Sequence, residues 1–283
     1  DVTERALGAL DDAFWRETFV ISADDLNDDG WEDLYFGRYW YEDAIFLNRG
    51  DGTFERHGPD IGLVMRTLPE GSADLNGSGW ITAGEAPSWD PAQASPPGGD
   101  ENSMGLLLTD LDGDGVTDAV VGTGDPGRAA PDLAFCGSRS GPEGYRVERC
   151  DPALVAANGS TRSHGMAAGD LDRNGSLDLV INSGGFPPFD LATGADSTER
   201  TKLFRGAADR TASVTQVRLR THDRAAVGAR LRVEGGRPAH STVRSSLGFQ
   251  SQSSEVITVA IDGPVEAEVT WPGGRTTTHR LEP

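Results

Sequence analysis

Apolar residues along this chain fall in short runs separated by turns rich in Gly, Asp and Asn. Three runs share one context: Asp33-Leu-Tyr-Phe-Gly37, Asp118-Ala-Val-Val-Gly122 and Asp178-Leu-Val-Ile-Asn-Ser-Gly184 each begin on an aspartate and end on a glycine. Across a polar loop, each is preceded by a second small-apolar run: Phe19-Val-Ile-Ser-Ala23, Met104-Gly-Leu-Leu-Leu-Thr109 and His164-Gly-Met-Ala-Ala-Gly169. Short apolar runs bounded by turn formers predict strands, and each pair therefore predicts a hairpin. A second hairpin signal follows in Phe46-Leu-Asn-Arg-Gly-Asp-Gly-Thr-Phe54, where glycines supply the turn. Weaker echoes are Ala134-Phe135 with Gly144-Tyr145, and Leu203-Phe204-Arg205-Gly206. Two hairpins per unit predict a four-stranded sheet. From about residue 213 the pattern changes to alternation in Val214–Arg220, Val256–Ala260 and Val265–Trp271, predicting a small antiparallel sheet or sandwich.

The polar loops inside the first hairpins carry the chemistry. Residues 25–33, 110–118 and 170–178 all have the form D-x-[DN]-x-[DN]-G-x-x-D. Oxygen-bearing side chains crowded at alternate positions repel one another in a partly buried loop, and a hard divalent cation removes that repulsion. The predicted ligands are Asp25, Asn27, Asp29 and Asp33 with the carbonyl of Trp31; Asp110, Asp112, Asp114 and Asp118 with that of Val116; and Asp170, Asp172, Asn174 and Asp178 with that of Ser176. An oxygen-only shell suits Ca²⁺, whereas Mg²⁺ demands tighter octahedral geometry. Glycine at position six allows the positive φ that turns the chain around the ion. A fourth segment keeps Asp74, Asn76, Ser78 and Gly79, with Trp80 at position seven and Glu85 as a substitute ligand. It also fits an EF-hand loop, but Pro69, Gly71 and Pro87 argue against the flanking helices. Solvated acidic turns are the alternative reading, and the recurrence of the motif argues against it. Three to four Ca²⁺ ions are expected.

Motif starts at 25, 74, 110 and 170 are spaced 49, 36 and 60 residues apart. A four-stranded unit of roughly 40–60 residues predicts a propeller blade. The loops, together with the Phe46–Phe54 hairpin and the opening Asp1-Val-Thr-Glu-Arg-Ala-Leu-Gly8, resemble FG-GAP/VCBS repeats, as in integrin α-chain propellers. Ala226-Val-Gly-Ala-Arg-Leu231, Gly248-Phe-Gln-Ser-Gln252 and Val269-Thr-Trp-Pro-Gly-Gly-Arg275 resemble the ASPIC/UnbV domain, which follows such repeats in proteins similar to cartilage acidic protein and in bacterial relatives. The resemblance implies an all-β chain, with a β-propeller over 1–210 and an ASPIC/UnbV-like β domain over 211–283. A blade of roughly 45 residues gives four to five blades in that span, whereas the family usually has about seven. The blade number is left open between a small propeller, blades without signatures, and a sequence that is part of a longer chain.

Composition narrows the function classes. With 45 acidic and 25 basic residues, the net charge of −20 argues against a phosphate backbone or an anionic membrane as partner. No apolar run reaches the roughly 18 residues of a membrane helix, and no leader segment is recognised. Arginine supplies all the basic residues except Lys202, a bias of GC-rich bacterial genomes. Cys136 and Cys150 flank a predicted hairpin turn and suggest one disulfide and an oxidising compartment, with two buried thiols as the alternative. Gly122-Thr-Gly-Asp-Pro-Gly127 matches a dinucleotide fingerprint, but Pro126 and Pro131 oppose the helix it needs. Arg49-Gly-Asp51 lies inside a repeat turn, and the sequons at Asn76, Asn158 and Asn174 include two expected ligands.

Two functions follow. The first is a secreted or extracytoplasmic binding or scaffolding module with structural Ca²⁺, whose partner is a protein, glycan or small molecule. The second is a cyclase- or isomerase-type enzyme of natural-product biosynthesis, a role that the resemblance to UnbV allows. Its acid–base groups would be Arg16, Glu17, Arg162 and His164, converging at the propeller channel mouth. The alternative for these four is that they hydrogen-bond one another or water.

Overall fold

The computed structural model describes residues 2–10, 14–15, 18–39, 42–65, 102–112, 114–124, 130–150, 153–174, 176–184, 199–206, 213–221, 224–234, 240–243 and 256–282. Among them are twenty-one strands, two short α-helices, α1 (Thr3–Leu7) and α2 (Ala153–Ala156), and two 3₁₀ turns at Pro59–Ile61 and Pro142–Gly144. The chain is all-β and its paired strands are antiparallel, as the pattern of short runs predicts.

The first sheet has the order β1 (Thr18–Asp24), β2 (Asp33–Arg38), β3 (Ala44–Asn48), β4 (Phe54–His57). The second repeats it with β5 (Ser103–Thr109), β6 (Asp118–Thr123), β8 (Leu133–Ser138) and β9 (Arg146–Cys150). The third shows β11 (Ser163–Gly169), β12 (Asp178–Ser183) and β13 (Lys202–Phe204) among the described residues. A two-stranded ladder of β7 (Ala130–Pro131) and β10 (Ser160–Thr161) runs between the second and third units. Register is the same in all three first hairpins. The residue before the acidic loop faces the aspartate at its ninth position: Asp24 with Asp33, Thr109 with Asp118, Gly169 with Asp178. The expected four-stranded units are thus present twice in full.

The sheets stack face to face. Val20, Tyr35, Ile45 and Leu47 of the first meet Leu106, Leu108, Val121 and Phe135 of the second in one core. On its opposite face the second sheet packs Leu107, Val120 and Ala134 against Met166, Leu179 and Ile181 of the third. Strand β5 is therefore apolar without alternation, while β1, covered on one face, alternates and leaves Phe19 and Ile21 exposed. Contact between β5 and β11 is so close that a Cβ on Gly105 would lie 1.9 Å from the His164 carbonyl oxygen. Among the described residues the stack does not close into a ring.

Buried polar clips join neighbouring sheets. Asp43, just before β3, accepts from the Arg38 backbone N–H (2.7 Å) and the Tyr35 hydroxyl (2.9 Å), and Ser103 at the start of β5 donates to it across the interface. Asp132, just before β8, repeats the device. It accepts from the Thr123 N–H (3.1 Å), from the Asn158 amide (2.6 Å) and from Ser163 at the start of β11 (2.9 Å). Burial pushes Asp43 up to about 6 and raises Asp132, against the pull of those donors.

In the C-terminal region, β14 (Ser213–Arg218) pairs with β19 (Val256–Ile261), and β15 (Arg220–Thr221) with β16 (Arg224–Ala225). A four-stranded sheet has the order β18 (His240–Thr242), β17 (Arg230–Val233), β20 (Val265–Thr270), β21 (Thr276–Leu281). Ile257, Val259 and Ile261 share one core with Leu231, Val233, Ala267 and Val269, so the β14–β19 pair and the four-stranded sheet bury their apolar faces together.

The predicted Cys136–Cys150 pair is a disulfide across β8 and β9, with Cα atoms 5.8 Å apart.

Candidate metal centres

Each acidic loop is built on backbone N–H groups that its own side chains capture. At position five, Asp29, Asp114 and Asn174 each accept from the N–H two residues on, at 2.8 Å, closing an Asx turn. At position one, Asp25 accepts from the N–H groups of Asp29 (3.0 Å) and Gly30 (2.9 Å), Asp110 from Gly115 (3.0 Å) and Asp170 from Asn174 (2.9 Å). Two position-six glycines adopt positive φ as predicted, 96° at Gly30 and 86° at Gly115, and the third, Gly175, lies outside the described residues. Position four does so too, at Asp28 (60°) and Arg173 (61°), which the sequence pattern does not reveal because neither is glycine.

The ninth-position aspartates carry a second task. One carboxylate oxygen accepts from the N–H of position two: Leu26 to Asp33 (2.8 Å), Leu111 to Asp118 (2.7 Å), Leu171 to Asp178 (2.8 Å). The other accepts from an N–H at the end of the third strand of the sheet: Asn48 (2.7 Å), Gly137 (2.7 Å) and Gly206 (3.0 Å) respectively. This residue clips the loop to its own sheet. Burial pushes both Asp33 and Asp118 up to about 7 against these donors, with neighbouring loop carboxylates adding to the rise.

The second and third loops gather their carboxylates. One ligand oxygen each from Asp110, Asp112 and Asp114 lie within 4.8 Å of one another, as do those of Asp170, Asp172 and Asp178. Asp112 and Asp118 also approach Cys136, but that sulfur is bonded to Cys150 and offers no thiolate. Oxygen-only donor sets with three carboxylates fit Ca²⁺. Asp118 belongs to the second loop's wall, and Asp178 to the third loop's gathered set. The carbonyls of Val116 and Ser176 stand at position seven of these loops.

The first loop differs. Among the described residues, Asp25, Asp29 and Asp33 are not gathered to that distance. The Asn27 amide nitrogen donates to Asp29 (3.0 Å) and to the Glu143 carbonyl (3.1 Å). Trp31 is half exposed and its indole lies over Gly50 of the β3–β4 turn. Arg230, from β17 of the C-terminal region, reaches Asp25 at 3.2 Å and donates to the Gly30 carbonyl. Burial raises Asp25, and the Arg230 guanidinium opposes that rise.

Asp74, Asn76, Ser78, Trp80 and Glu85, the predicted fourth loop, lie outside the described residues, as do Arg16 and Glu17. Arg162 and His164 are described. The Arg162 backbone N–H and guanidinium both go to Glu199, at 2.8 and 3.0 Å, and His164 Nδ1 contacts the Arg162 carbonyl at 2.9 Å. Of the sequons, Asn158 is buried with its amide shared among Asp132, Thr161 and Ser163, so the folded chain offers it to no transferase. In the Arg49-Gly-Asp51 turn, Arg49 pairs with Glu55, and Asp51 accepts from Thr53.

The family described as ASPIC and UnbV matches residues 219–283, which identifies the C-terminal part of the chain as a domain of that kind. No curated protein matches the sequence.

Proposed function

We propose that the chain is a calcium-stabilised binding or scaffolding module, in which FG-GAP/VCBS-type sheets form part of a β-propeller and the ASPIC/UnbV domain follows them. One observation carries the reading: two loops at equivalent places on successive sheets each gather three carboxylates within 4.8 Å. Like charges at that spacing repel one another, and a hard divalent cation would remove that repulsion at neutral pH. The ion would tie the two strands of a hairpin while the ninth aspartate ties the loop to the third strand. A disulfide and a strongly acidic surface suit a secreted or extracytoplasmic protein that meets a protein, glycan or small-molecule ligand.

Calcium titration into chelated protein tests this. Each site adds about 2.7 kcal/mol of stability at a hundredfold excess over Kd, so the melting temperature is expected to rise steeply with calcium. A melting curve that is the same in metal-free and calcium-loaded protein would refute the structural role.

A further inference from the structure

Arg230 projects from β17 onto the first acidic loop, 205 residues away in sequence. Its guanidinium meets the Asp25 carboxylate at 3.2 Å, the Gly30 carbonyl, and Glu32 at 3.5 Å. Arg232, two residues on, stands 3.6 Å from Asp28. Around these pairs lies a cleft of about 200 Å³, closed on one side by the loop and on the other by Ser241, Thr242 and Glu268 of the C-terminal sheet. The Asp25 side chain is 8% exposed and that of Arg230 25%, so the pair is largely withdrawn from water, unlike a surface ion pair. Both Asp25 oxygens are engaged, one by the Asp29 N–H and the other by Gly30 and Arg230. Position three, an aspartate in the second and third loops, is here Asn27, and its amide is spent on Asp29 and Glu143 instead of facing an ion.

We infer that the first loop is the seat on which the C-terminal domain docks, with the Arg230 guanidinium standing in for the cation that its sister loops take. A planar monocation with five N–H donors satisfies a carboxylate and a carbonyl at once, and suits a loop whose carboxylates are not gathered around one point. The repeat motif is thereby used for two purposes: holding an ion in the second and third loops, and holding a domain in the first. The statement about the ion rests on the calcium reading above; the statement about docking does not.

Ion counting by elemental analysis, with Trp-sensitised terbium emission, separates the two. Trp31 occupies position seven of the first loop and reports an ion there. In otherwise unchanged protein, Asp25→Ala is expected to leave the ion count unaltered, and Asp112→Ala with Asp114→Ala to lower it by one. Arg230→Ala is expected to gain one ion and an emission that Trp31→Phe abolishes. Loss of an ion in Asp25→Ala, or no gain in Arg230→Ala, overturns the exchange of guanidinium for cation. In chelator, Arg230→Ala and Asp25→Asn are expected to lower the melting temperature by less together than the sum of their separate shifts. Additive shifts overturn the docking claim, whatever the ions do. Arg230→Lys, which keeps the charge without the fork, serves if the alanine variant does not fold. If Asp112→Ala with Asp114→Ala leaves the count unchanged, the calcium reading fails while the chelator experiment still decides the docking.

Discussion

Ser103 Oγ lies 2.8 Å from both carboxylate oxygens of Asp43, and through that contact the first strand of the second sheet is fastened to the third strand of the first. The two residues are sixty apart in sequence and both fully buried. Asp43→Ala strands the Tyr35 hydroxyl and the Arg38 N–H in the interior as well. Its expected effect is a loss of roughly 2–4 kcal/mol, and that of Ser103→Ala about 1 kcal/mol. Chemical denaturation of the full chain measures both. Equal effects of the two variants would mean that Asp43 serves Ser103 alone.

The same carboxylate gives a pH dependence. Its folded pKa is raised to about 6 from 3.8, mainly by burial, so the folded state holds the proton more tightly than the unfolded chain. The resulting stabilisation is complete below about pH 4 and is lost as pH climbs through 6. It amounts to on the order of 3 kcal/mol, from a shift of about two pKa units at 1.36 kcal/mol each. Asp43→Asn does not titrate, so the stability difference between wild type and this variant should move across that window and be flat above it. A difference that is constant from pH 4 to 7 would show an ordinary carboxyl.

Gly105→Ala places a methyl group on the His164 carbonyl, 1.9 Å from its oxygen, and neither backbone can yield without parting β5 from β11. The expected loss is about 3 kcal/mol or more, seen as a lowered melting temperature or as insoluble protein. Gly169→Ala is the control: it sits on the same strand β11, no atom lies within 4 Å of the added carbon, and stability should hardly change.

Positions within one loop should separate by metal dependence. Asp118→Asn turns an amide towards one of two backbone N–H donors, Leu111 or Gly137, and should lower stability by about 1–3 kcal/mol even in chelator. Among the described residues Asp112→Ala gives up the Asp114 N–H, in an exposed turn, and its loss should emerge chiefly when calcium is present. Paired melts with and without chelator distinguish the two patterns.

Replacing Cys136 and Cys150 by serine frees a loop closed over a separation of 14 residues. Chain entropy sets the expected loss at about 3 kcal/mol. Denaturation of the double variant against the oxidised parent reads it directly.

Much of this architecture is legible in the sequence because it is periodic. The D-x-[DN]-x-[DN]-G-x-x-D loops, their flanking runs and the Gly30 turn recur at fixed offsets, and recurrence separates a built loop from a chance acidic turn. The unalternating Leu106-Leu-Leu108 run already marks a strand covered on both faces. The clips are less visible. Asp43 and Asp132 are single polar residues ahead of a strand, and their partners Ser103 and Ser163 show only as the shared pattern Ser-x-Gly in Ser103-Met-Gly105 and Ser163-His-Gly165. Arg230 stands in the Ala226–Leu231 motif, but nothing local in it points to an acidic loop. It is one arginine in an alternating strand, and its meaning lies in a contact with a loop at the other end of the chain.

The double covering of the second sheet also sets where this protein can be cut. A break made before β5 strips Leu106, Leu108 and Val121 of their cover, and one made after β9 uncovers Leu107, Val120 and Ala134. Residues 102–150 therefore have no dry side to spare, and a fragment bounded there would present greasy walls to solvent in both directions and aggregate. Dissection of the repeat region has to proceed from its flanks inward, with the middle unit the last to be separated from a companion.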